Sequence, residues 1–220
     1  MRSIQRANLF NSAVTFIALM LFSSAVFAQD GIKRSGLPRF GQVNEKLFRG
    51  GQPRRGALHR LRELGIDTIV NLRGTSDRTR AEEREARALG LGYFNVSLPN
   101  WGRPQDERVR RILLIISAPQ NGRVFVHCKD GVDRTGMIVA LHRITSEGWK
   151  TGDALAEAEQ RGMRRIQIWM RDYAEDYANR IQDPYADEDF GDRIGFGMRI
   201  VEQEALRVRR IGKLVLRRLH

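Results

Sequence analysis

The chain holds one cysteine in 220 residues. No intramolecular disulfide is possible, so a small core stapled by bridges is excluded. Histidine is sparse too: the four, His59, His127, His142 and His220, are scattered, with no metal-ligand spacing. No internal repeat or low-complexity tract occurs. Acidic residues are outnumbered 26 to 38 by Lys and Arg, giving net +12. That balance favours anionic partners: phosphate esters, nucleic acid or acidic membrane. Aromatics make up only 8%, and no RNA-binding motif with interleaved aromatics is present. Uninterrupted apolar sequence is short as well. The run Ala13 to Phe27 falls below the roughly 20 residues a spanning helix needs.

That run nevertheless carries information. Arg2 and Arg6 precede it, and Val26-Phe27-Ala28 ends it with small residues where a signal peptidase reads. Residues 1–28 are therefore expected to be a signal peptide, cleaved after Ala28, with an uncleaved N-terminal anchor as the alternative. Either way the domain is expected to be exported, periplasmic or secreted, which makes nucleic acid a poor partner. In an oxidising compartment an unpaired thiol is a liability unless it is buried or does chemistry.

Residues 29–46 are polar and glycine-containing and read as a linker or extended lead-in. From there strand and helix signals alternate. Leu47-Phe48-Arg49 reads as a short strand, 55–64 as a helix, 66–72 as a buried strand, and 79–89 as a charged amphipathic helix. Strand 93–98, helix 104–117, strand 123–127 and helix 135–147 follow. This order predicts a three-layer α/β domain over 47–182, with a largely parallel sheet flanked by helices. Residues 151–180 add two helices. Residues 183–220 form a basic C-terminal extension: an acidic, glycine-containing loop, then a helical stripe of Val201, Ala205, Val208, Gly212, Val215 and Leu219. Such a helix either packs on the domain or lies on an anionic membrane surface.

The single cysteine sits in VFVHCKDGVDRTG, residues 124–136. A strand ends at His127 and a helix opens near Thr135, so the loop between them lies at a helix N-terminus, where orphan N–H groups and the dipole favour an anion. Gly131 lets the backbone turn so that successive amides face one centre. Arg134 can clamp two phosphate oxygens with its planar guanidinium. The same positive field favours the Cys128 thiolate, a nucleophile aimed at a cradled phosphorus. Thr135 is placed to donate its hydroxyl to the sulfur, and His127 to give supporting hydrogen bonds. The bland alternative for Cys128 is an inert core thiol.

Cys128 to Arg134 resembles the C-x5-R signature of the cysteine-based protein tyrosine and dual-specificity phosphatase superfamily, and His127 and Thr135-Gly136 extend the likeness. Upstream, NEKLFRGGQP followed by GIDTIVNLR is similar to the lead-in of atypical dual-specificity phosphatases. The resemblance covers about residues 40–165. It implies a phosphocysteine formed on Cys128 and then hydrolysed, with no metal or other cofactor. It also implies a phosphate cradle from Lys129, Asp130, Gly131, Val132, Thr135 and Gly136. The substrates expected are phosphoproteins or phosphoinositides, and Lys129 is either a reader of a second phosphate or a solvated lysine.

A departing alkoxide or phenoxide needs a proton donor. Many relatives in that superfamily take it from an upstream loop, here LPNWGRPQDE, where the single aspartate is Asp106. Asp133, within the cysteine loop, is the favoured alternative, and each has a structural reading: Asp106 as a helix N-terminal charge, Asp133 as a helix cap. Two other functions fit parts of the chain. A rhodanese-like sulfurtransferase also uses a loop cysteine, but need not end its loop in Arg-Thr-Gly. A non-catalytic anion-binding module at the membrane would use only the basic tail.

Overall fold

The computed structural model of the chain describes residues 36–182. The expected signal peptide, the first part of the expected linker and the C-terminal extension lie outside the described residues. Within them the elements run β1 (Gly41–Gln42), β2 (Leu47–Gly51), α1 (Leu58–Glu63), β3 (Thr68–Asn71), α2 (Asp77–Ala88) and β4 (Gly92–Asn95). They continue with α3 (Asp106–Ser117), a 3-10 turn (Pro119–Asn121), β5 (Val124–Cys128), α4 (Asp133–Glu147), α5 (Thr151–Gln160) and α6 (Ile168–Gln182).

One sheet forms, in the order β1-β2-β5-β3-β4. Strands β2, β5, β3 and β4 are parallel, and only β1 runs antiparallel, against β2. The three-layer expectation holds. Strand alternation sorts the side chains. Leu47, Val70, Phe94, Val124, Val126 and Cys128 pack on one face with α3, α4, α5 and α6. Phe48, Ile69, Tyr93 and Phe125 pack on the other with α1 and α2. Cys128 and His127, adjacent in sequence, therefore serve opposite faces of the sheet.

Strand β5 lies between β2 and β3, with Cys128 at its carboxyl end. The helix after β2 covers one face and the helix after β5 covers the other. That divergence opens a crevice beyond the strand ends, the usual ligand position in open α/β sheets. Helix α4 packs against α3, α5 and α6 as well as the sheet. Every residue from Asp133 to Ile144 is buried, which accounts for its apolar sequence without a polar face. It ends at Gly148 in the left-handed conformation, φ 70°.

Several boundaries differ from expectation for local reasons. Helix α2 starts at Asp77, two residues early, because Ser76 caps it. The Ser76 Oγ accepts from the Thr79 N–H at 3.2 Å, and the Thr79 Oγ1 accepts from the Ser76 N–H at 2.7 Å. Helix α4 likewise starts at Asp133, not Thr135. Pro104 precedes α3, whose N-cap is Gln105. The segment expected as linker contributes β1, and its Arg39 reaches the loop after β5.

Candidate active site

The loop 129–132 leaves β5 and enters α4 with its backbone tightly held. At Gly131 φ is +76°, and a Cβ there would fall 2.4 Å from backbone atoms of Gly50 and Gly51. Glycine is required both by conformation and by space. The Gly131 N–H donates to the Cys128 Sγ at 3.2 Å, and the cysteine is 3% exposed. Burial alone fits an inert thiol, but this sulfur accepts from a loop amide at the mouth of a buried helix.

Arg134 is drawn to the same point. Its Nη1 donates to the carbonyls of Leu72 (3.2 Å) and Leu98 (3.3 Å), at the ends of β3 and just beyond β4. Its Nε and Nη2 have no partner among the described residues. The guanidinium is thus anchored by one corner and presents an edge to a cleft of about 190 Å³. Lys129, Asp130, Val132, Asp133 and Cys128 line that cleft. From other elements come Asn100, Trp101, Arg164, Gln167 and Met170. A larger hollow of about 490 Å³, between Asn44, Leu47, Ile116 and His142, lies at the opposite end of β2 and α4, away from Cys128 and Arg134.

The remaining loop expectations divide. Thr135 is fully buried, yet its Oγ1 has no hydrogen-bond partner, so the expected bond to sulfur is not formed. Gly136 faces Ala158 and Met163, allowing α5 to pack closely, and does not line the cleft.

Both candidate acids are engaged. Asp133 accepts three hydrogen bonds from Arg164: from its backbone N–H (3.0 Å), its Nε (3.0 Å) and its Nη2 (2.5 Å). It therefore ties α4 to the loop before α6 and does not cap its own helix, whose N-cap is Val132. Asp106 opens α3, accepts from the Tyr173 hydroxyl and from Arg180 Nη2, both at 2.9 Å, and does not line the cleft.

Behind the loop lies a polar network that no sequence spacing reveals. His127, fully buried, meets Glu82 Oε1 through Nε2 at 2.8 Å and the Cys128 carbonyl through Nδ1 at 3.1 Å. The carboxylate can only accept, so Nε2 donates to Glu82. Glu82 also accepts from Gln52 Nε2 (2.7 Å), Asn71 Nδ2 (3.1 Å) and the Tyr93 hydroxyl (3.1 Å). Burial pushes the Glu82 carboxyl up, but its bonds from His127, Gln52 and Tyr93 outweigh this and hold it below the usual carboxylate value. The support of His127 expected from sequence is thus present, with Glu82 as its anchor.

Glu82→Ala should cost about 3–5 kcal/mol, because four buried donors lose their acceptor, measurable by denaturant unfolding. The depressed folded value also fixes a sign. Glu82 contributes stability above the ordinary glutamate range, about 4.3, and loses it as pH falls below that range. Glu82→Gln should flatten the acid limb of the melting temperature against pH. An unchanged limb would show that Glu82 is not ionised in the fold.

Gln167, 3% exposed, also went unseen in the sequence. It lines the cleft with its Oε1 unpartnered. Among the described residues no group of three or more His, Cys, Asp or Glu is placed to hold a metal ion. A thiol, loop amides, a guanidinium edge and a buried acceptor converge here. Together they suit capture of a tetrahedral anion by sulfur, followed by attack of a water.

Comparison with known proteins agrees with this geometry. The dual specificity phosphatase TpbA of Pseudomonas aeruginosa is 30% identical over 123 residues, 55% of this chain and 53% of that protein. The chain thus matches about half the length of this relative. A crystal structure of TpbA with phosphotyrosine superposes with a TM-score of 0.50 at 23% identity, covering 74% of this chain and 90% of that one. The catalytic core of the PP-IP phosphatase SIW14 from S. cerevisiae gives 0.57 at 18%, covering 76% and 93%. At such identities the two structures establish the fold. The family model described as "DSP-PTPase phosphatase fused to NAD+ Kinase" matches residues 33–175, and the chain belongs to that family of cysteine-based phosphatases.

Proposed function

We propose that the protein hydrolyses phosphomonoesters through a phosphocysteine on Cys128. The observation that carries this is the Gly131 amide on the Cys128 sulfur, beside the Arg134 guanidinium, at the N-terminus of a buried helix. The thiolate attacks phosphorus in line, the P–S bond forms, and the P–O bond to the leaving group breaks. Loop amides, the helix dipole and Arg134 stabilise the equatorial oxygens. Asp133, the candidate acid that lines the cleft, protonates the leaving oxygen. A water then attacks phosphorus and the P–S bond breaks. Gln167 Oε1, a buried acceptor in the cleft, orients that water by accepting a hydrogen bond from it, and Asp133, left as a carboxylate by the first step, takes its proton.

The substrates are anionic phosphate esters, phosphotyrosine and inositol phosphates first among them. Such compounds stand in the names of the two solved relatives, and Lys129 and Arg164 beside the cleft suit a second anionic group. The mature protein is exported and begins at Gln29, and its basic tail associates with anionic membrane. N-terminal sequencing of extracytoplasmic fractions checks the first point.

The direct test is a panel of aryl phosphate, phosphotyrosine peptide, phosphoinositide and inositol phosphate with full-length protein. Turnover in the presence of EDTA is expected. Thiosulfate-to-cyanide sulfur transfer without phosphate release would replace this reading by a sulfurtransferase, and phosphate binding without turnover by a silent binding module.

A further inference from the structure

We propose that Arg49 is a positioning residue of the catalytic loop: it holds the Gly131 carbonyl outward and so turns the Val132 amide toward the phosphoryl group. The inference rests on Cys128 being the nucleophile. Arg49 lies in β2, opposite Val126 of β5 and two residues before Gly51, which pairs with Cys128. Strand alternation places it, like Leu47, on the face occupied by Val126 and Cys128. An apolar side chain is the pattern there, yet an arginine stands in its place, 4% exposed.

Its Nη2 donates to the Gly131 carbonyl at 3.0 Å. Its Nη1 is buried without a partner. A buried guanidinium with an unused donor is costly, and apolar packing would serve stability better. Burial, and then repulsion by Arg161, press its pKa below the ordinary value, while Glu157 and the Cys128 sulfur act the other way.

The geometry explains what the arginine does. In a trans peptide the carbonyl of one residue and the N–H of the next point in opposite directions. Three successive loop carbonyls are held from outside. Lys129 accepts from the Gln52 N–H (3.1 Å), Asp130 from Arg39 Nη1 (3.1 Å), and Gly131 from Arg49. The amides of Asp130, Gly131 and Val132 are thereby directed the other way. One result is already visible, the Gly131 N–H on the Cys128 sulfur. Of the two arginines only Arg49 is buried, so it is the grip least diluted by water.

The test compares Arg49→Met, which removes bond and charge, with Arg49→Lys, which keeps the charge but shortens the reach. Below their melting temperatures, Arg49→Met should lose about a hundredfold in kcat/KM for an aryl phosphate. It should also bind inorganic phosphate about tenfold more weakly. Arg49→Lys should fall between it and wild type in both. A purely structural arginine would lower the melting temperature and leave both quantities unchanged in the folded protein. Wild-type kcat/KM and phosphate affinity in either folded variant would overturn the proposal. If Arg49→Met does not fold, Arg49→Lys decides alone, since a loss of about tenfold is expected from a shifted oxyanion donor. Failure of the nucleophile reading is distinguishable, because it would appear as turnover surviving Cys128→Ser.

Discussion

Cys128→Ser loses turnover on the order of a millionfold while still binding phosphate. The serine hydroxyl has no base beside it to make it an alkoxide, whereas a thiolate forms readily in a positive field. The rest of the cradle does not depend on the sulfur. Arg134 stays anchored on the carbonyls of Leu72 and Leu98, and the loop carbonyls stay gripped by Gln52, Arg39 and Arg49. Phosphate affinity measured by calorimetry should therefore survive, or improve through loss of a like charge. Appreciable turnover in this variant would end the phosphocysteine mechanism. Loss of phosphate binding together with turnover would show that the sulfur organises the loop. Arg134→Lys should be impaired in both, since a point charge cannot present the two parallel donors of a guanidinium edge.

The parts of this site that were legible in the sequence share a property: they are close along the chain. Cys128, Gly131, Asp133 and Arg134 fall within seven consecutive residues, so one strand-loop-helix turn brings them together. The strand and helix order was legible for a similar reason, because burial imposes period two or 3.6 within each element. What could not be read joins elements far apart. Glu82 meets His127 across 45 positions, and Arg49 meets Gly131 across 82. Such pairs leave no spacing signal. An arginine flanked by Phe48 and Gly50 looks like the end of an edge strand until β5 is known to lie beside it. Strand β1, two residues long, is too short to show alternation. The early start of α2 was readable, however, because Ser76 and Thr79 are three apart, as a reciprocal cap requires.

The proton donor is settled by how rate depends on the leaving group. A general acid matters only when the departing oxygen needs a proton, and it contributes about a hundredfold to ten-thousandfold. Removing it should hurt alkyl phosphates and phosphoinositides far more than activated aryl phosphates. The two aspartates stand differently toward this role. Asp106 is bound to Tyr173 and Arg180 and does not line the cleft. Asp133 lines the cleft but is gripped by Arg164, and an ionised carboxylate cannot donate. Arg164 lines the same cleft with an exposed side chain, so an arriving phosphate competes with Asp133 for its guanidinium. Loosening that grip frees the carboxyl group to face the leaving oxygen. Asp133→Asn should thus show a steep dependence of log kcat/KM on leaving-group pKa, and Asp106→Asn a shallow one. A uniform loss across all leaving groups for Asp133→Asn would mean that it serves only as the clamp between α4 and the Arg164 loop. A steep slope for Asp106→Asn would instead place the acid on the loop before α3, which would then have to move toward Cys128 when substrate binds.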